Sequence, residues 1–207
     1  LDLNLINKEK IKERDMNKNL IFNTLGHQTI WWASVLGAIF AIQYLGALVM
    51  IPVVAFHLLY TSRMKNEFIL ILIAAVLGTI MDTLFNLFRV VEYTGTYSFA
   101  EWLAPIWITS MWVGFSTTIN YSLKKLGKKK YLGAIIGAIF GPIAYLAGQR
   151  YGAIVLMKPQ IYALLILSLS WGGIIPLLFT ISDQIKKENK NDKKALILPL
   201  FRKLHLV

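Results

Sequence analysis

Polar and ionisable side chains occur inside long apolar segments of this chain, where each needs a partner or a cavity. A charged group at the centre of a bilayer costs about 2.5–3.5 kcal/mol on insertion scales, so such groups usually face the interior of a helix bundle. There they can hold a polar ligand, an ion or a proton. The candidate ligand-binding residues are Asn23, Gln28, Trp31, His57, Asp82, Asn86, Thr118 and Asn120.

The depth of these residues, counted at about 1.5 Å per residue along each helix, predicts two polar layers. The inner layer is expected to be a cavity lined by Asn23, Gln28, His57 and Asn120, with Thr118 at similar depth. The outer layer is expected to join Asp82 and Asn86 with Gln149 and Arg150.

Two of these residues have an equally simple structural explanation. Asp82 is as consistent with an ion-pair or hydrogen-bond partner of Arg150 or Arg89 as with ligand, ion or proton handling. Trp31 belongs to a residue type that more often packs or anchors at the membrane interface than stacks on a ligand. Both alternatives remain open from the sequence.

The sequence contains no pattern that specifies a catalytic or metal site. There is no Cys, which excludes thiolate catalysis and disulfides. The three His residues lack HxxxH or HExxH spacing, and no P-loop or GxSxG motif occurs. We therefore expect no catalytic residue, metal or cofactor. The remaining enzyme hypothesis, a lipid-modifying enzyme or an accessory to one, depends on His57 and Glu67 as acid or base groups near lipid headgroups.

The elements that must position these residues are six apolar segments, each near the 20 residues needed to cross a bilayer. Hydrophobic residues make up 56% of the chain, and its mean hydropathy is +0.56. We predict an all-α membrane protein, a bundle of six transmembrane helices. The segments are roughly Leu20–Ile42, Leu45–Tyr60, Phe68–Val91, Pro105–Leu123, Tyr131–Gln149 and Ile161–Ile181.

The basic residues alternate between the two sides of these segments. Nineteen of the 22 Lys and Arg residues lie in the two terminal regions and in the second-to-third and fourth-to-fifth connections. Positive charge favours the cytoplasmic side, so both termini are predicted to be cytoplasmic. A net charge of +11 would suggest nucleic acid if it covered one folded face, but here it is spread over loops and tails. We therefore expect membrane lipids, and no nucleic acid, as partners.

The charge pattern also divides the chain into three regions. Residues 1–19 form a polar N-terminal segment, residues 20–182 the six-helix transmembrane domain, and residues 183–207 a basic cytoplasmic tail. Small residues four apart, such as Gly133, Gly137 and Gly141, favour close helix packing in lipid. Helix packing within the chain alone explains these small residues. The same kind of surface would also allow packing against a partner membrane subunit.

The polar and aromatic residues of the segments resemble those of a bacterial inner-membrane family named domain of unknown function 2878. The residues that carry the resemblance are Asn23, Gln28, Trp31 and Trp32 in NTLGHQTIWW, His57, Glu67, Gly78, Asp82, Trp107, Trp112, Phe115, Thr118, Gly141, Pro142, Tyr145 and Gly148 in GPIAYLAG, Trp171 and Pro176. His27 and Tyr121 depart from the family pattern, which has Phe and His there. The resemblance implies a six-helix protein of the bacterial inner membrane and no established reaction.

These observations favour a protein that binds or transports a small molecule or lipid through a polar cavity within the membrane. The lipid-modifying enzyme is one alternative. The other is a structural scaffold, in which the polar residues only hold helices together.

Overall fold

The computed structural model describes the backbone of residues 3–61 and 63–204 and the side chains of residues 20–61 and 63–189. Within these residues the chain is mostly helical, with seven helices and one antiparallel sheet of two short strands. In chain order the elements are α1 (Leu3–Ile39), α2 (Leu45–Tyr60), α3 (Met64–Leu87), β1 (Val91–Tyr93), α4 (Ile106–Ile119), α5 (Lys124–Gly127), α6 (Lys130–Arg150), β2 (Ile154–Leu156) and α7 (Gln160–Leu204).

Each predicted apolar segment coincides with a helix, so the helical class is confirmed. The six crossings and the side occupied by the termini remain predictions. Three described helical segments are long and apolar enough to cross a membrane, namely Met64–Leu87, Lys130–Arg150 and Gln160–Asn189, while Leu45–Tyr60 is a shorter apolar helix. The polar residues 1–19 and most of the tail 183–207 lie outside the side chains that the structure describes.

The sheet was not predicted, and it corrects the end of the third segment. Helix α3 ends at Leu87, and Arg89 takes a left-handed conformation with φ of 54°. The Val90 N–H then bonds to the Phe85 carbonyl, which is the helix-ending pattern usually built around glycine. Val91 therefore lies in β1 and pairs with Leu156 of β2. This pairing holds the loop after α3 against the loop after α6.

Helix α4 is the centre of the bundle. It packs against α1, α2 and α3, while α6 and α7 form the most extensive single helix pair and α7 also contacts α3. Most residues of α4 are buried, including Trp107, Trp112 and Thr117. Side chains on the central helix therefore meet groups from several neighbouring helices.

The helices expose apolar side chains on their outer faces. On α3, Leu72, Val76 and Ile80 are each at least half exposed, whereas Gly78 and Asp82 on the opposite face are buried. A helix in water shows the reverse arrangement. The bundle therefore presents an apolar surface around a partly polar interior, as lipid requires.

Candidate functional site

Asp82 lies on the inner face of α3 and is 1% exposed. Its carboxylate accepts hydrogen bonds from Tyr93 Oη at 2.5 Å, from Trp112 Nε1 at 2.6 Å, and from Tyr145 Oη. An indole N–H can only donate, so Asp82 Oδ2 is the acceptor in its bond with Trp112. Within residues 20–61 and 63–189, the ion pairs involve other groups and none reaches Asp82.

The donors come from three different elements. Tyr93 lies on β1, Trp112 on α4 and Tyr145 on α6. The β1–β2 pairing sets the position of Tyr93, which pairs with Ile154, and the Trp107 indole N–H bonds to the Thr94 carbonyl at 3.0 Å. The site therefore depends on the sheet as well as on the helices.

A cavity of about 110 Å³ adjoins Asp82, and we call it the Asp82 cavity. Asp82 is the acidic residue in a wall that is otherwise almost entirely apolar and largely aromatic. An engineered apolar cavity of about 150 Å³ accepts benzene, so this space suits a group of a few heavy atoms. The aromatic lining residues are Trp31, Tyr93, Trp107, Trp112, Tyr145 and Trp171, together with Phe115 and His27.

A second space continues from this cavity between α1 and α6. This groove, of about 510 Å³, shares His27, Trp31, Phe115 and Trp171 with the Asp82 cavity. The His27 Nδ1 atom is buried without a hydrogen-bond partner among the described residues. An unsatisfied buried nitrogen costs about 1–3 kcal/mol, so a ligand group at the junction would gain from bonding to it.

The second polar cluster lies at the other end of the bundle. We call it the inner polar chain, and its members come from α1, α2, α3, the end of α4, and α7. They are Asn23, His57, Glu67, Asn120 and Ser182.

Contacts run through this chain from one side of the bundle to the other. His57 Nδ1 lies 2.7 Å from Asn23 Oδ1, and His57 Nε2 lies 3.5 Å from Glu67 Oε2. Asn120 Nδ2 donates to Glu67 Oε1 at 2.9 Å and accepts at Oδ1 from Ser182 Oγ at 2.7 Å. His57 and Glu67 are each 3% exposed. The two side chains therefore face each other inside the bundle rather than a lipid headgroup.

The predicted inner layer is partly assembled in the structure. Asn23, His57 and Asn120 lie together, as expected. Gln28 is exposed and lines the groove instead. The Thr118 hydroxyl bonds at 2.6 Å to the Phe115 carbonyl of its own helix, outside the chain of contacts.

The predicted outer layer is not the one observed. Trp31 does line the Asp82 cavity, but Asn86 Nδ2 bonds to the Glu101 carbonyl at 2.7 Å, and Gln149 Oε1 accepts from the Leu156 N–H at 3.2 Å. Arg150 is exposed. Asn86 and Gln149 hold the connecting loops instead, because each lies near a helix end, where loop backbone groups need partners.

Several functional residues were missed as site members. Tyr93 gave no signal, since a tyrosine in a membrane chain usually indicates the interface. Trp112 and Tyr145 were named only among the residues that carry the family resemblance, and Ser182 lies one residue beyond the last predicted segment. Glu67 was recognised only as a potential acid or base, although its position three residues after Met64 places it in the first turn of α3.

No three His, Asp or Glu side chains cluster as metal ligands in the described part of the chain. The family model described as "Protein of unknown function (DUF2878)" matches residues 20–177. This range contains the Asp82 cavity and all of the inner polar chain except Ser182. No curated protein and no solved structure matches the chain.

Proposed function

The chain belongs to the DUF2878 family of proteins of unknown function, and we propose that it binds a small molecule carrying a cationic ammonium group in the Asp82 cavity. The observation that carries this proposal is a buried carboxylate in a wall of aromatic rings, with no cationic partner within residues 20–61 and 63–189. Aromatic faces attract cations, and cages of aromatic rings are a recurrent site for quaternary ammonium groups.

The donors around Asp82 leave capacity for such a ligand. An ionised carboxylate has about four lone-pair sites, and three hydrogen bonds occupy Asp82. A cation bound beside Asp82 favours the ionised carboxylate, and their attraction is stronger in a site of low polarity than in water. A cation in the cavity would therefore gain from both the carboxylate and the rings.

The size of the cavity indicates how the ligand divides between the two spaces. About 110 Å³ holds an ammonium head with small substituents, and the groove of about 510 Å³ holds an attached apolar body. The groove lies between α1 and α6, two helices with apolar outer faces, so a lipid-soluble ligand would reach the cavity sideways from the bilayer. His27 lines both spaces, so it can bond to a polar group at the point where the apolar body joins the ammonium head.

This proposal places the protein in the bacterial inner membrane with six crossings and both termini in the cytoplasm. The charge bias, the apolar outer faces and the helix positions support that arrangement. If the bound cation moves across the membrane, the protein is a transporter. Uptake of labelled choline into proteoliposomes measures this movement.

Binding can be tested with choline and its uncharged carbon analogue, 3,3-dimethylbutanol. Four tryptophans line the cavity, so tryptophan fluorescence of the protein in nanodiscs reports occupancy. Desolvated cation–π contacts contribute about 2 kcal/mol or more, so we expect choline to bind at least roughly 30-fold more tightly than the analogue. Asp82→Asn should reduce this preference, because it removes the carboxylate and keeps the aromatic rings.

Glu92→Gln serves as the matched control, because Glu92 is an exposed carboxylate on β1. This variant should keep the preference for the cation. If parent and Asp82→Asn proteins, both folded, bind neither compound or bind both equally, the polar residues serve only to hold helices together and the proposal fails.

A further inference from the structure

A basic pocket lies at the opposite end of the bundle from the sheet, between the α4–α6 connection and α7. Its volume is about 690 Å³, and five lysines and one aspartate among the described residues line it. The net charge of this lining is therefore +4. We call it the lysine pocket, and its charged residues are Lys124, Lys128, Lys129, Lys130, Lys186 and Asp183.

Two of the lysines are held in place rather than extended into solvent. Lys130 Nζ bonds to Thr180 Oγ1 at 3.0 Å and lies 3.3 Å from Asp183 Oδ2, while Lys186 Nζ lies 3.9 Å from Asp183 Oδ1. Asp183 is thus already engaged by two cations. The other lysines remain without a compensating acidic residue in the lining.

The position of the lysines relative to α6 increases the local excess of positive charge. Helix α6 begins at Lys130, and its first turn contains no acidic residue. The N-terminal end of a helix carries a partial positive charge that disfavours cations and favours anions. The topological charge bias accounts for lysines in this connection, but it does not require them to converge on one pocket at this helix end.

Neutral polar groups form part of the same lining. Asn120 and Ser182, which end the inner polar chain, both contribute to it. The Asn120 amide has two N–H donors, and its bond to Glu67 uses one of them. The pocket thus combines several cations with a side-chain amide, a set that suits an oxyanion.

We propose that the lysine pocket binds a phosphate-bearing anion, supplied either by the headgroup of an anionic phospholipid or by a soluble phosphate ester. A phosphate offers several strong acceptor oxygens and more than one negative charge, which matches the excess of lysines. Basic pockets between membrane helices on the cytoplasmic side are sites for such headgroups. The proposal does not depend on the Asp82 cavity.

The two sources can be separated by two binding measurements on the full chain. Native mass spectrometry detects retained phosphatidylglycerol after release from mixed phosphatidylglycerol and phosphatidylcholine nanodiscs, and calorimetry in phosphatidylcholine nanodiscs measures glycerol 3-phosphate. We expect the double variant Lys128→Gln/Lys129→Gln to lower the affinity for the anion roughly 10-fold or more, because each lysine near anionic lipid contributes about a factor of five to that affinity. Binding should weaken further as salt is raised.

Lys65→Gln is the matched control, since Lys65 is an exposed lysine at the start of α3, beside the other basic connection. It should leave binding unchanged. Retained lipid identifies a headgroup site, and glycerol 3-phosphate binding identifies a soluble ligand. The proposal is overturned if neither anion binds the folded protein, or if Lys65→Gln weakens binding as much as the double variant. Lys128 and Lys129 are exposed, so their replacement leaves the core intact, which circular dichroism verifies.

Discussion

Asp82 and His57 show what individual residues contribute at the two ends of the bundle. Asp82 has three fixed donors and no cationic partner among the described residues. His57 and Glu67 instead face each other, 3.5 Å apart, within a chain of polar side chains. A carboxylate with three fixed donors suits ligand binding, whereas two buried groups that face each other suit structural stabilisation, since removing one partner of a buried pair is destabilising.

The inner polar chain leads to a prediction about stability. His57→Ala removes the imidazole that hydrogen-bonds to the buried Asn23 side chain, and the loss of that bond should lower the free energy of unfolding by about 1–3 kcal/mol. Glu67→Gln should cost less, since the side-chain oxygen that accepts from Asn120 is kept. Denaturation followed by tryptophan fluorescence measures both changes.

A double-mutant cycle shows whether the two residues interact directly. His57→Ala and Glu67→Ala should be non-additive by about 0.5–3 kcal/mol, as expected for residues in one network. Ser122→Ala is the control, because it removes an exposed hydroxyl contact with Thr24 and should change stability by less than about 0.5 kcal/mol. Additive losses at His57 and Glu67 would show that the pair does not act as a unit.

At the scale of elements, two glycines allow a tryptophan stack to join four helices. The Trp112 and Trp171 rings are stacked, with centroids 4.8 Å apart and planes at 11°. Gly78 of α3 lies against Trp112, and Gly141 of α6 lies against Trp171. Helices α3, α4, α7 and α6 therefore meet in one layer beside the Asp82 cavity.

This layer predicts that a single methyl group at Gly78 is harmful. A Cβ there would overlap the Trp112 ring, and overpacking of this kind costs about 1–3 kcal/mol. Gly78→Ala should therefore destabilise the protein and weaken choline binding, because Trp112 also bonds to Asp82. Gly173→Ala is the control, since nothing lies within 4 Å of its Cβ position. Equal stability of the two variants would contradict the tight layer.

Helix α6 also shows how neighbouring helices compensate for a backbone defect. Pro142 lies inside α6 and has no N–H to offer the carbonyl four residues earlier. The Ser168 hydroxyl of α7 donates to that carbonyl, at Ala138, with a distance of 2.8 Å. In lipid no water can take this role, which gives Ser168 a structural function in the apolar first half of the segment Gln160–Asn189.

The elements also show how far the sequence could predict the structure. Helix positions followed from hydropathy, because backbone groups in lipid must be bonded within the segment. The β1–β2 pairing joins Val91 to Leu156, and short strands so far apart leave no local pattern. Asn23, His57 and Asn120 were grouped correctly by depth alone. Tyr93 was missed because its role requires the loop geometry that the sheet creates, and Tyr145 because its contact with Asp82 joins residues 63 apart in the chain.

At the scale of the whole molecule, α4 is the decisive element for topology. It has 14 residues, about 21 Å of helix, which is shorter than a hydrocarbon core of about 30 Å. Its polar and aromatic residues are nevertheless buried by α1, α2 and α3. A short central helix surrounded by neighbours would have little contact with lipid, so a crossing by α4 would depend on the extended and turn residues at both ends.

Single cysteines test this crossing directly, because the chain contains no Cys. Phe99 is 85% exposed in the loop before α4, and Lys128 and Lys65 are exposed in the two basic connections. If α3 and α4 both cross, an impermeant maleimide added to spheroplasts should label Phe99→Cys but not Lys128→Cys or Lys65→Cys. Inverted vesicles should give the reverse pattern. Labelling of Phe99→Cys and Lys128→Cys from one side would mean that α4 does not cross, and the lysine pocket would then lie on the same side as the sheet.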